Sequence, residues 1–438
     1  MENKLIGVIS LGCDKNRVDT EKMLAILGQK HTLTRDIEKA QIIIINTCAF
    51  LQSARKEAID EIFSAAEYKK SGALEKLIIT GCLPQKYAGE MFGELKEVDA
   101  FLGISDYDRV LDIIDKLYEK DERINGVGKP TGEFNIKRRL TTGGYAYLKI
   151  ADGCDNCCTY CLIPKIRGRY RSVKFDALIE EARLLGDIRE LILVAQDTSR
   201  YGEDLTPKRT LVDLIRALSL LDNIKGIRLL YCYPENITDE LIREFQFNPK
   251  LIRYIDIPLQ HASDRILKLM NRKGTGAGYL SLIERLKNEV YGIAIRSTFI
   301  TGFPRETEED FNTLVEFIEK AKLFNAGFFK YSREEGTAAY NLDGQIKESV
   351  KTKRLKKLYA VQKKVVKENG KALVGKTFKV CAEGFDDNEL IYFGRAYFNA
   401  PEIDGKVKFF SGEEVIFGEY YDVKITKACG YDLYGERI

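Results

Sequence analysis

Residues 153–161 read GCDNCCTYC, four cysteines in nine positions. Cys154, Cys158 and Cys161 within it follow the spacing C-x3-C-x2-C. Three thiolates on one short loop can each take one iron of a 4Fe–4S cluster and leave the fourth iron open to a small molecule. A cluster used only for electron transfer does not need that arrangement. Tyr160, between the last two cysteines, can present an aromatic face beside the open iron. Structural zinc is the competing reading, but it prefers four closed ligands. Cys157 adjoins Cys158 and is badly placed to chelate the same ion, and His31 and His261 are the only histidines. The iron–sulfur reading is the stronger of the two.

Three further cysteines close apolar runs: SLGC at Cys13, NTC at Cys48 and TGC at Cys82, at intervals of 35 and 34 residues. Each interval is about the length of one βα unit. Parallel strands put their carboxyl ends on one edge of a sheet, where ligands of open α/β sheets bind. A single cysteine at such a place packs as a small hydrophobe and carries no weight. Three at matching strand ends, each beside Gly or a small polar residue, predict a second ligand set. Cys232, Cys381 and Cys429 lie in apolar β-like contexts and read as packing residues.

The elements that must position these sets can be read from periodicity. Over residues 1–120, the β-branched runs KLIGVISL, QIIIINT and EKLIIT alternate with stretches of helical spacing such as NRVDTEKMLAILGQ and LQSARKEAIDEIFSAAEYKK. Alternation of this kind predicts a parallel α/β sheet covered on both faces. Residues 121–143 are charged and Gly-rich and read as a linker. Over 144–372, six strand runs (YAYLKIA, ELILVAQ, GIRLLYCY, YIDIPLQ, AIRSTFITG and AGFFKYS) are separated by helical stretches. Six consecutive βα units predict a partial (β/α)6 barrel, with its working face at the carboxyl ends of the strands. Residues 350–373 form a helix with nine Lys/Arg and one Glu. Such a run is usually a solvated face, and contact with RNA phosphates is the other reading. Residues 373–438 change to short β-rich runs broken by Gly, Asp and Asn, and predict a small all-β barrel or sandwich. That tail carries eight Lys/Arg against twelve Asp/Glu, a net charge of −4. An acidic surface suits a basic protein better than an RNA groove.

Composition narrows the class. The chain has 438 residues, 45% hydrophobic and 31% charged, with net charge +3. That is the profile of a soluble protein of two or three domains, and no overall polycation asks for nucleic acid. The stretch MENKLIGVISLGCDKN is neither a signal peptide nor a membrane span. A reducing, cytoplasmic location is expected, in which clustered thiols serve metal ligation or catalysis rather than disulfides.

The C-x3-C-x2-C loop with an aromatic before its last cysteine, at the start of a partial βα barrel, resembles the radical S-adenosylmethionine superfamily. Taken with three strand-end cysteines before it and a small β domain of TRAM type after it, nearly the whole chain resembles the methylthiotransferases. Within them SLGCDKNRVDTE, YLKIADGCDNCCTYCLIPKIRG, AQDTSRYG, IDIPLQHAS, TGFPRETEEDF and FGRAYFNAPEIDGKV are similar to the RimO branch. That branch modifies an aspartate of a small-subunit ribosomal protein (protein twelve), whereas the sister branch modifies adenosines in tRNA. The resemblance implies two 4Fe–4S clusters, one on Cys154, Cys158 and Cys161 and one on Cys13, Cys48 and Cys82. The first would bind S-adenosylmethionine and generate a deoxyadenosyl radical. The second would carry the sulfur to be inserted, and a second S-adenosylmethionine would supply the methyl group. The cofactors do the hard chemistry and the protein positions them; no catalytic residue beyond the cluster ligands is expected.

Further expectations attach to strand ends. Gln196 and Gln260 can hydrogen-bond the nucleoside or methionine part of the cofactor, and Arg296 can pair with its carboxylate as a bidentate fork. Each has an alternative as a polar strand end that satisfies backbone groups, and His261, next to Gln260, is equally readable as structural. The partners implied are the ribosomal protein, an electron donor and ribosomal RNA, with no membrane. A tRNA adenosine is the alternative substrate, and an iron–sulfur carrier or RNA-binding module is the alternative class. The carrier has little use for six βα units around an open-iron cluster.

Two residues depart from the branch pattern. Asp14 stands where it typically has Pro, and Cys157 is an extra thiol within the loop. Neither removes a ligand. A Cys157→Ser chain is therefore expected to retain the iron content of the unsubstituted protein; loss of one cluster's worth of iron would refute the ligand assignment.

Overall fold

The computed structural model describes residues 2–130 and 137–438. Residues 131–136, in the middle of the expected linker, lie outside them. The chain begins with strand β1 (Leu5–Ser10), helix α1 (Asp14–Leu27), β2 (Thr32–Thr34), β3 (Ile42–Thr47), α2 (Gln52–Ser71), β4 (Lys76–Gly81), α3 (Cys82–Glu94), β5 (Ala100–Phe101), α4 (Val110–Lys120) and β6 (Ile124–Asn125). The six strands form one parallel sheet in the order β2-β1-β3-β4-β5-β6. Every residue of β3, IIIINT, is buried, as a central strand covered on both faces requires. Ile43, Ile45, Leu77 and Ile79 face Ala58, Ile62 and Leu83 of α2 and α3. Ile42, Ile44 and Ile78 face Met23, Leu27, Ile113 and Leu117 of α1 and α4. The three strands that the sequence does not announce, β2, β5 and β6, are two or three residues long, too short to carry a period. The last of them falls inside the segment expected to be a linker.

The second sheet is built from β7 (Tyr145–Lys149), β10 (Glu190–Val194), β11 (Ile227–Leu229), β12 (Leu251–Asp256), β13 (Ala294–Thr301) and β14 (Asn325–Lys330), with a two-strand ribbon, β8 (Ala151–Asp152) and β9 (Arg171–Ser172), after β7. Helices α5 (Ile163–Ile166), α6 (Phe175–Leu184), α7 (Leu211–Ser219), α8 (Asp239–Phe247), α9 (Asp264–Leu269), α10 (Gly276–Glu289) and α11 (Glu308–Ala321) fill the connections. The strands pair in parallel in chain order, β7-β10-β11-β12-β13-β14, and do not close. This is the expected six-unit open barrel. Leu191, Leu193, Leu229 and Ile255 pack outward on the helices. The alternate residues, Tyr147, Ile192, Leu230, Tyr254 and Ala294, point inward, and an open barrel leaves that face short of partners.

Two other parts of the chain supply them. Helix α12 (Glu348–Lys371) leads to a closed barrel of β15 (Thr377–Asp386), β16 (Ile391–Arg395), β17 (Val407–Phe410), β18 (Tyr420–Cys429) and β19 (Asp432–Arg437). Phe398 and Ala400 of this barrel and Val18 of α1 join the inward residues in one cluster. Charge seals the contact. Glu190 sits fully buried between two guanidinia: Arg228 Nε donates to Oε1 and Arg395 Nη1 to Oε2 at 2.8 Å. Burial alone would raise the Glu190 pKa, but the two arginines hold it below its ordinary value.

Of the cysteines read as packing residues, Cys232 and Cys381 are buried, whereas Cys429 is exposed. It ends β18 at a turn where Gly430 takes φ +62°, so its apolar neighbours in sequence do not enclose it.

Breaking a buried pair by removing one partner costs about 3–5 kcal/mol. Glu190→Gln is expected to lower the stability of the folded chain by an amount in that range, read from denaturant unfolding; an unchanged midpoint would show that the two arginines need no counter-charge.

Candidate active site: two cysteine loops and the cavity between Cys13 and Tyr160

Cys13 is the N-cap of α1, Cys48 follows β3 and Cys82 opens α3, all at the carboxyl edge of the first sheet. The loops converge because one of them has no side chain in the way. Gly12 takes φ +95°, and a Cβ there would lie 2.8 Å from the Cys48 Cβ, which only glycine permits. Asn16, one turn into α1, sits among the thiols: its Oδ1 is 3.9 Å from Cys13 Sγ and 3.8 Å from Cys82 Sγ. Its Nδ2 donates to Leu11 O and Thr47 O, at 3.2 and 3.0 Å, and so pins the β1 and β3 loops together.

The second set follows β8. Gly153 at φ +77° comes so close to the Gly168–Arg169 backbone that a Cβ would lie 2.1 Å from Arg169 O. Cys154 and Cys158 are buried, Cys161 is half-buried and Cys157 is exposed. Cys158 Sγ lies 3.2 Å from Tyr233 Oη, and Ile163 N donates to Cys161 Sγ at 3.4 Å.

A cavity of about 420 Å³ is bordered by Cys13 of the first set and by Tyr160, the neighbour of Cys161 in the second loop. Cys13, Phe50, Tyr160, Tyr231, Gln260 and Lys330 are among its lining residues. Tyr160 and Gln260 are thus brought to the same cavity. Gln260 is held at φ +72°, its N–H donating to Thr298 O and its carbonyl accepting from Ile300 N. Gln196 and Arg296 are engaged elsewhere. Gln196 Nε2 donates to Asp152 Oδ1 at 3.2 Å. Arg296 pairs with Asp256 at 2.8 Å and with Asp404 at 3.5 Å, and lines a separate crevice against the C-terminal barrel. His261 is fully buried and accepts from Ser263 N; burial presses its pKa down to about 3, so the ring is neutral.

The residue that joins the two sets is Arg167, at the end of α5. It is buried, and its Nη1 donates to both oxygens of Asp152 at 3.0 and 2.9 Å. Asp152 immediately precedes the Gly153–Cys161 loop. Arg167 Nη2 donates to Asn16 Oδ1 at 2.7 Å and lies 3.6 Å from Cys82 Sγ. One guanidinium thus touches the base of one cysteine loop and a cysteine of the other. Around it Lys149 pairs with Asp19, and Lys22 with Glu181 at 3.1 Å, all inside the seam between the two sheets. At the cavity's other rim Arg55 Nη1 reaches Glu334 Oε2 at 2.5 Å. Asn16, Arg167, Asp152 and Tyr233 were not found by reading the sequence. Arg167 falls in the quoted stretch PKIRG, but nothing local marks it as other than a surface cation.

The donor chemistry fits iron–sulfur clusters. Burial pushes the Cys82 and Cys161 thiols up to about 12 and Cys154 up to about 11, against which Arg167 pulls Cys82 back in part. Thiolates are the ligand form, and buried ones need positive charge beside them. Among the described residues no three His, Cys, Asp or Glu side chains are drawn together as one metal ion requires. A four-iron cluster, which gives each thiolate its own iron, asks for less convergence.

The fold and this pair of cysteine sets define a radical S-adenosylmethionine protein with an extra N-terminal cysteine-bearing domain. Residues 5–103 match the Uncharacterized protein family UPF0004, residues 148–318 the Radical SAM superfamily and residues 374–438 the TRAM domain. Ribosomal protein uS12 methylthiotransferase RimO of Acetivibrio thermocellus is 46% identical, over 99% of this chain and 98% of its own. That of Lachnoclostridium phytofermentans is 46% identical over 98% and 99%. The chain belongs to the RimO family of methylthiotransferases. Among solved structures, the radical S-adenosylmethionine methyltransferase TsrM from Kitasatospora setae, with cobalamin and a [4Fe-4S] cluster bound, shares the fold: TM-score 0.57, 13% identity, 87% of this chain and 81% of that one.

Arg167→Ala leaves the buried Asp152 without its bidentate partner. The expected cost is about 3–5 kcal/mol in chemical unfolding. Arg167→Lys is expected to recover only part of it, because an ammonium cannot reproduce the planar fork. Full recovery by lysine would show that charge alone matters at this position.

Proposed function

We propose that this chain adds a methylthio group to the β-carbon of an aspartate in ribosomal protein uS12. Its relatives, at 46% identity over nearly the full chain, are named ribosomal protein uS12 methylthiotransferases. In this reading Cys154, Cys158 and Cys161 hold one 4Fe–4S cluster and Cys13, Cys48 and Cys82 a second. When bound, the clusters and S-adenosylmethionine supply the radical that takes a hydrogen atom from an unactivated carbon, and the sulfur and methyl that replace it. The reading takes residues 1–120, 144–372 and 373–438 as three functional units, a cytoplasmic location and an electron donor of unspecified identity.

The observation that carries the reading is the shared cavity, which Cys13 and Tyr160 both line. Groups held by the Cys13 loop and by the Cys154–Cys161 loop would both have access to a substrate side chain seated there. This chain's own part is to orient and enclose. Phe50, Tyr231 and Ile300 give the cavity apolar walls that exclude water. Tyr231 is fixed by the Lys15 ammonium, 3.5 Å from its ring centroid. Gln260, with its backbone locked on β13, offers a polar side chain to a cofactor or to the substrate. Arg296, tied to Asp256 and Asp404, serves the junction with the C-terminal barrel, and Gln196 steadies Asp152.

The reading favours a protein over a tRNA substrate, and the net charge of −4 on residues 374–438 supports it. Among the described residues no helix is long and apolar enough to cross a membrane.

Mass spectrometry of small-subunit ribosomal proteins and of tRNA nucleosides from one strain lacking the gene separates the two substrates. Loss of a methylthio group from uS12 with unchanged tRNA is expected. Loss of a methylthioadenosine with uS12 unaltered would overturn the assignment.

A further inference from the structure

Helix α12 carries a feature that the cavity does not use. Lys353, Lys356, Lys357, Lys364, Lys367 and Lys371 are all exposed. At 3.6 residues per turn they fall in a stripe about 100° wide and about 27 Å long. Ala360 is its one other member between residues 353 and 371. The opposite face, with Leu358, Val361, Val365 and Val366, is buried.

The stripe is unlike an ordinary solvated helix face. Such faces are laced with carboxylates three or four residues from each cation. Within the stripe the lysines neighbour one another, 353 with 356 and 357, 364 with 367, and 367 with 371; the one carboxylate in reach, Glu368, four residues after Lys364 and three before Lys371, lies at the stripe's edge and pairs with Lys322 instead. Like charges at these spacings repel, and solubility alone is served as well by mixed signs. Among the described residues none of the six makes an ion pair, and Lys357 has only Asn312 Oδ1, at 3.4 Å, as a polar partner. The helix tolerates the repulsion because it is clamped between α11, β14 and β18. A one-signed ladder of this length is complementary to a rod of regularly spaced negative charge, as a nucleic acid backbone is. It runs straight into the C-terminal barrel, whose net charge is opposite. A basic protein seated in RNA offers those two signs side by side.

We propose that the lysine stripe of α12 is a docking surface for the phosphate backbone of structured RNA. The RNA's identity as ribosomal rests on the reading of uS12 as the substrate; the binding itself does not.

The test uses the full-length, cluster-reconstituted chain and its Lys353→Gln, Lys364→Gln, Lys367→Gln, Lys371→Gln quadruple variant. Binding to a fluorescent RNA duplex of arbitrary sequence is followed by anisotropy across a salt series. The unsubstituted chain is expected to bind with an affinity that falls steeply with salt. The variant is expected to bind at least about tenfold more weakly at low salt, with a slope shallower by about one for each lysine removed. Its helix content by circular dichroism is expected to be unchanged, since all four side chains face solvent. Equal affinities and slopes, or no binding by the unsubstituted chain at low salt, would overturn the proposal. If RNA binding differs as expected but neither chain modifies isolated uS12, the stripe stands and the substrate assignment falls.

Discussion

A buried charge must have a partner, and this protein places that requirement at the seam between its two cysteine-bearing parts. Arg167 belongs to the open barrel, yet one of its nitrogens is bonded to Asn16 of the first α/β sheet and lies against Cys82. Its other nitrogen holds Asp152, the residue at the foot of the second cysteine loop. Lys149, Asp19, Lys22 and Glu181 extend the network, all of them buried. An apolar seam could slide by a fraction of a side chain at little cost. A seam of paired charges cannot, because each pair that parts strands a charge at about 3–5 kcal/mol. The register of one cysteine set against the other is thereby fixed.

That constraint gives the open barrel its purpose. Six strands that do not close leave an inward face to be filled. The chain fills it from both sides, with α1 of the first domain and with Phe398 and its neighbours in the C-terminal barrel. What remains unfilled is the cavity on which Cys13 and Tyr160 meet. The Arg55–Glu334 pair ties its rim across the same two parts. The graded exposure of the first set, with Cys82 buried, Cys48 half-buried and Cys13 exposed, turns the Cys13 corner of that set toward the cavity.

Much of this was legible in the sequence, for particular reasons. The β-branched runs and 3.6-residue spacing gave both parallel sheets, because central strands buried on two faces read as unbroken Val/Ile runs. The cysteine sets could be read because their spacing is either local or tied to strand ends. The network around Arg167 could not. Asp19 and Lys22 look like the polar face of an ordinary helix, and their partners Lys149 and Glu181 lie 130 and 159 residues away. The partners of Arg296 and Gln196 were hidden for the same cause: a strand-end position gives a residue's height in the barrel, not that Asp256, Asp404 or Asp152 would bond its side chain. Cys429 went wrong through apolar neighbours that a turn carries away from it.

The two cysteine sets are proposed to do different work, with Cys13 of the first and Tyr160 from the loop of the second on a single cavity. The most direct test counts two products in a single reaction of the full-length chain carrying Cys13→Ala, Cys48→Ala and Cys82→Ala. Reductive cleavage of S-adenosylmethionine, read as deoxyadenosine, is predicted to persist, while methylthio insertion into uS12 disappears. Insertion at the yield of the unsubstituted chain would contradict the account.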